Sequence, residues 1–167
     1  MYCMRKKPSI KDLFRQYELP EWLVKAGKWG LRYKTPIEKG IYWYKFSLFI
    51  RERDVAKYGT CISCNRSITV DTCDAGHFAP ASNCGLDLLF HPLNVNAECS
   101  YCNAFDGMHL IGYAKNLDKR YGAGTAEKLH NMRECYKQKT AYPDGTFPTL
   151  KEWKKKDYEE KLRNLTP

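Results

Sequence analysis

The chain has 167 residues, with 28 Lys/Arg against 19 Asp/Glu (net charge +9), 43% hydrophobic and 14% aromatic residues. This composition excludes a fully disordered chain, and no run of about 18 apolar residues offers a membrane span. The basic start "MYCMRKKPSIKDLF" lacks the apolar core of a secretory signal, so an intracellular, cytoplasmic protein is expected.

Charge is unevenly spread. Residues 1–54 hold 13 Lys/Arg and 6 Asp/Glu, residues 55–115 hold 3 and 5, and residues 116–167 hold 12 and 8. Two basic flanks around a slightly acidic centre suit a polyanion gripped at its edges over a central cation. The expected class is α+β and mainly helical. Three regions are expected: a basic and aromatic helical region at 1–58, a zinc-stapled core at 59–118 and a helical extension at 119–167.

Taken in chain order, residues 1–40 interleave basic residues with Phe14, Tyr17, Trp22, Trp29 and Tyr33, and short helices fit at 9–17 and 20–27. The stretch "IYWYKFSLFIRERDVAKYG" (41–59) reads as a helix, with Phe46, Phe49, Ile50 and Arg53 on adjacent turns and Gly59 as its stop. Arg51 and Arg53 could reach phosphate, or pair with Glu52 or Asp54. Residues 61–98 are rich in turns, and "SITVDTCDAGHF" alternates into a strand ending near His77, one arm of a hairpin. From Cys102 a helix is expected, interrupted or loosened near Gly107 and Gly112, with Lys115 as a further basic residue that could reach phosphate. Another helix fits 125–140, with Leu129, Met132 and Tyr136 in one stripe. The last, 149–165, would open on a capping box of Thr149 and Glu152 and lie exposed or along a partner.

Four of the eight cysteines form two C-x-x-C knuckles, Cys61/Cys64 and Cys99/Cys102. Each presents two thiolates from one turn, and together they complete the closed tetrahedral shell of structural Zn²⁺. Cys3, Cys73, Cys84 and Cys135 have no such spacing and are treated as ordinary thiols. A closed sulfur shell has no open position, so any hydrolysis must use other groups. His77 falls between the knuckles, and Asn103 directly follows the last cysteine at the start of a helix, with Asp106 expected on the same helical face. Oxygen ligands there suit Mg²⁺ or Mn²⁺, and a neutral histidine nearby can take a proton from water. His91 and His109 also fall near the module, where a surface role is expected.

The stretches "FIRERD" (49–54), "CISC" (61–64), "DAGH" (74–77), Leu93-Asn94, "CSYCN" (99–103) and "KLRN" (161–164) resemble the lambdoid phage recombination family called Rap or NinG, within the HNH or His-Me finger nucleases. The run "CNAFD" (102–106) is also similar to endonuclease VII, the T-even phage junction resolvase. The resemblance implies a ββα-metal core with His77 as general base, Asn94 tying down the hairpin loop, and Asn103 as ligand to the catalytic cation. Asp74 or Asp106 would assist it. Most members place Asp directly before the histidine, and here that residue is Gly76.

The implied function is a phage- or prophage-encoded endonuclease of the bacterial host cytoplasm, cutting D-loops or Holliday junctions, and two-strand cutting would favour a homodimer built from exposed helices. Two alternatives are a non-catalytic zinc module that binds nucleic acid, and an HNH enzyme of restriction or homing type acting on ordinary duplex. A zinc deaminase would need an H-x-E motif, which the sequence lacks.

Overall fold

The computed structural model describes residues 37–151 and 153–165. The helices expected at 9–17 and 20–27 lie outside these residues. Helix α1 (Ile37–Lys57) buries Tyr42, Phe46, Ile50 and Asp54, one stripe at four-residue spacing. It ends where Gly59 adopts φ +62, which lets the amides of Tyr58 and Gly59 both donate to the Asp54 carbonyl.

The centre is an antiparallel pair, β1 (Cys73–His77) and β2 (Val95–Cys99), in the register Cys73 to Cys99 through His77 to Val95. The intervening loop holds a 3-10 turn at Ala81–Asn83 and the short helix α2 (Leu86–Leu89). Strand β2 runs directly into α3 (Ser100–Ala104). Helices α4 (His109–Tyr121), α5 (Thr125–Gln138) and α6 (Lys155–Arg163) follow.

The outer edge of β2 has no neighbouring strand, yet its backbone is satisfied. The Ala97 amide donates to Asp54 Oδ2 (2.7 Å), and the Ala97 carbonyl accepts from Ile62 N (3.0 Å). The Cys99 amide points at Cys61 Sγ (3.3 Å), and the Val95 carbonyl accepts from Arg53 (3.3 Å). One buried carboxylate, one guanidinium and one zinc-knuckle turn thus replace a third strand.

Alternation along the pair separates two environments. Ala75, His77 and Val95 face α1, where Phe46, Ile50, Phe90 and Tyr158 form an aromatic core. Asp74, Gly76, Asn96 and Glu98 face α3 and α4. A second core joins Ile62, Leu88, Tyr113, Leu117 and Leu129, and a third surrounds the knuckle cysteines.

The helix foreseen from Cys102 is interrupted near Gly107, as expected, and forms two helices. Two other expectations are corrected. Gly112 does not loosen α4. It lies inside the helix, where an added Cβ would collide with the Ser63 carbonyl, so the glycine lets α4 press on the first knuckle. The last helix begins at Lys155 rather than at 149. Thr149 belongs to an extended segment pinned to α2, its amide donating to Asp87 (2.9 Å), and Asp157 caps the Lys154 amide (2.8 Å). Nor is this helix fully exposed, since Tyr158 is wholly buried against Tyr42, Phe90 and Trp153.

Candidate metal and catalytic site

The first knuckle is a tight turn. Cys61 N donates to the Arg66 carbonyl, Asn65 N donates to the Cys61 carbonyl, and Asn65 takes the left-handed conformation at φ +59. The second knuckle spans the end of β2 and the start of α3. The four sulfurs all lie within 4.8 Å of one another, and Cys64 Sγ is 3.8 Å from Cys99 Sγ. A tetrahedral shell with Zn–S bonds of about 2.3 Å spaces its sulfurs by about 3.8 Å, so the donor set fits zinc. Burial pushes the Cys61 thiol up to about 11 and that of Cys102 higher still. Four thiolates can coexist there only around a cation. Cys73 and Cys84 stay outside the cluster, and burial raises them to about 11 and about 12, as expected of inert structural thiols.

His77 closes β1. Its Nε2 is 3.0 Å from the Leu89 carbonyl, and its ring stacks on Trp43 with centroids 5.2 Å apart and planes at 19°. A carbonyl only accepts, so Nε2 carries the proton and Nδ1 keeps the lone pair. Burial lowers the His77 pKa below its ordinary value, partly offset by the Leu89 hydrogen bond, and the ring is neutral at neutral pH.

The residue before Leu89 is held by the loop clamp Asn94, which is fully buried. The Asn94 amide donates to the carbonyls of Ala79 (3.2 Å) and Leu88 (3.0 Å), and its Oδ1 accepts from Ala79 N (2.7 Å). A single side chain thus ties both ends of the 78–94 loop together.

On the opposite face, Asn103 Nδ2 approaches Asp74 Oδ2 at 3.4 Å. The sequence reading set His77 directly against Asn103. Instead, the His77 side chain leaves one face of the hairpin while Asn103, on α3, lies against the other, its Oδ1 3.1 Å from where a Cβ on the neighbouring Gly76 would be. The shared helical face foreseen for Asn103 and Asp106 is also corrected. Helix α3 ends at Ala104, and Asp106 Oδ1 accepts from Met108 N (2.9 Å) in the turn before α4. Two further groups join this face. Glu98, fully buried on β2, accepts from Ser63 Oγ and contacts His109 Nδ1 (2.7 Å). Both were legible only as neighbours of the knuckle, because their meeting depends on the strand register and on α4.

The basic residues divide. Arg53 is committed within the fold, to Asp54 (2.7 Å), the carbonyls of Pro92 and Val95, Asn96 and Tyr121, so the internal pairing with Asp54 is the one realised. Arg51 donates to the Val70 carbonyl (2.8 Å). Lys115 is exposed on α4.

The description "Bacteriophage Lambda NinG protein" matches residues 40–166. The chain belongs to the NinG family. It is 27% identical over 139 residues to protein ninG of Escherichia phage lambda, covering 79% of this chain and 61% of the relative. Protein ninG of Salmonella phage P22 is 27% identical over 137 residues, covering 79% and 62%. That of Escherichia phage 933W is 30% identical over 122 residues, covering 65% and 59%. The chain thus spans about three-fifths of the length of these NinG relatives. No solved structure matches it. No helix among the described residues is long and apolar enough to cross a membrane.

Proposed function

We propose that this NinG-family chain is a metal-dependent endonuclease that hydrolyses phosphodiesters in branched DNA recombination intermediates. The observation that carries the reading is His77: a neutral imidazole fixed in one tautomer by the Leu89 carbonyl and stacked on Trp43, next to the glycine that Asn103 approaches. A backbone phosphate lying along β1 at Gly76 would meet His77 from one face of the hairpin and Asn103 with Asp74 from the other.

In this reading His77 Nδ1 takes a proton from water as the oxygen attacks phosphorus. The P–O3′ bond breaks, the 3′-oxygen takes a proton from solvent, and the 5′-phosphate stays on the other fragment. Mg²⁺ or Mn²⁺ on Asn103 and Asp74 would supply positive charge against the charge building on the phosphate oxygens. The zinc knuckles hold β2 to α3 and take no part in the chemistry. Asn94 positions the loop that orients His77. The basic flanks grip backbone without reading bases, and selection for branches follows from DNA shape and flexibility.

The test is a digest of linear duplex, D-loop and four-way junction by the zinc-loaded chain in Mg²⁺ or Mn²⁺. Preferential cutting of branched DNA, falling about 10²–10⁴-fold in His77→Ala with DNA binding kept, is the expected result. Binding without any metal-dependent cleavage would leave a non-catalytic zinc module, and equal cutting of linear duplex would remove the branch selectivity.

A further inference from the structure

Gly76 stands opposite Asn96 on the face that looks toward α3 and α4, and the space its side chain would take is filled by the Glu98 carboxylate. Three groups meet there. A Cβ on Gly76 would collide with Glu98 Oε2 and would lie 3.1 Å from Asn103 Oδ1. Asp74, directly across the ladder from Glu98, reaches the same Asn103 side chain.

Glu98 is 0% exposed, and its two oxygens differ. Oε1 accepts from Ser63 and contacts His109, whereas Oε2 is buried with no hydrogen-bond partner. A buried carboxylate oxygen without a partner is costly and invites a donor or a cation. Ser63 and His109 hold the carboxylate so that this oxygen lies against Gly76, on the side of Asn103. Among the described residues, the four cysteines form the one group of three or more Cys, His, Asp or Glu already close enough to share an ion, so the oxygen site must count the Asn103 amide as a donor.

We infer that Glu98 is a ligand for a hard divalent cation, supplying from β2 the carboxylate that Gly76 does not supply from β1. Asp74 and Asn103 complete the protein's share of an oxygen shell. A small octahedral cation takes few protein oxygens and keeps water or substrate on the rest, and this donor set suits it. Glycine at 76 is then a requirement of the site, because any side chain there would displace Glu98 Oε2. The role of this cation in cleavage rests on the function proposed above, but its binding does not.

The experiment is Mn²⁺ binding, read by electron paramagnetic resonance, on the zinc-loaded chain, with zinc content and thermal unfolding measured in parallel. The parent is expected to bind one Mn²⁺ beyond its zinc. Glu98→Gln, which keeps shape and an acceptor for Ser63, should weaken Mn²⁺ binding at least tenfold with zinc retained, and Gly76→Ala should do the same by a different route. His77→Ala should bind Mn²⁺ like the parent. Parent-like Mn²⁺ affinity in both Glu98→Gln and Gly76→Ala, or no Mn²⁺ site in the parent, overturns the assignment. Loss of Mn²⁺ in these variants from a parent that cuts no DNA would keep the cation site and reject the nuclease. Cleavage that survives Glu98→Gln unchanged would do the reverse.

Discussion

The two faces of the β1–β2 hairpin solve opposite problems with adjacent residues. Toward α1 the hairpin shows Ala75, His77 and Val95 to rings, and its one polar group, the His77 imidazole, is neutral, hydrogen-bonded and stacked. Toward α3 and α4 it shows Asp74, Asn96 and Glu98, and that face is full of oxygen. The aromatic face is stable by burial. The oxygen face depends on scaffolding from the zinc knuckles, from Gly112 pressed on Ser63, and from the Arg53–Asp54 pair along the edge of β2. A site combining a proton acceptor with cation ligands gains from this split, because the same environment cannot keep an imidazole neutral and hold carboxylates charged.

The contrast can be broken most forcefully by removing zinc. Structural zinc sites contribute about 10–16 kcal/mol in isolated modules. Chelation or Cys102→Ser is therefore expected to unfold the knuckles and scatter Asp74, Glu98 and Asn103, seen as lost circular dichroism and lost Mn²⁺ binding. Phe46→Ala, at a side chain 1% exposed, attacks the other face and should cost about 3–5 kcal/mol in chemical denaturation. Zinc should stay bound in that variant; its release would mean that the faces form one cooperative unit.

Asn94→Ala leaves the Ala79 amide and the Ala79 and Leu88 carbonyls without their partner, at about 3 kcal/mol of stability. It should also slow cleavage by loosening the 88–89 segment whose Leu89 carbonyl orients His77, while Mn²⁺ affinity is unchanged. The gentlest probe is pH. A base works only unprotonated, so cleavage should rise with pH and level off. With the His77 pKa lowered by burial, the half-point should fall below the ordinary histidine value of 6.5, with about a tenfold loss for each further unit downward. A half-point above 6.5 would assign the proton to another group.

Local signals were legible in the sequence. The knuckle spacing, the Gly59 stop of α1 and the strand ending at His77 each depend on neighbours within a few residues. What escaped depends on packing between distant segments. Arg53 reads as a phosphate contact until Tyr121 and the edge of β2 come round to it. Thr149 has the look of a helix cap until Asp87, far back in the chain, takes its amide. Glu98 becomes informative only when the register sets it beside Gly76, and Gly112 only when α4 meets the first knuckle.

The way β2 is closed off has a consequence for assembly. Its outward amides and carbonyls are already engaged by α1 and the first knuckle, so a second molecule cannot extend the sheet on that side. Any strand that joins this hairpin must lie alongside β1, next to Gly76. Under the function proposed above it would cover the side from which DNA would approach, and self-association of an active nuclease would then use the helices.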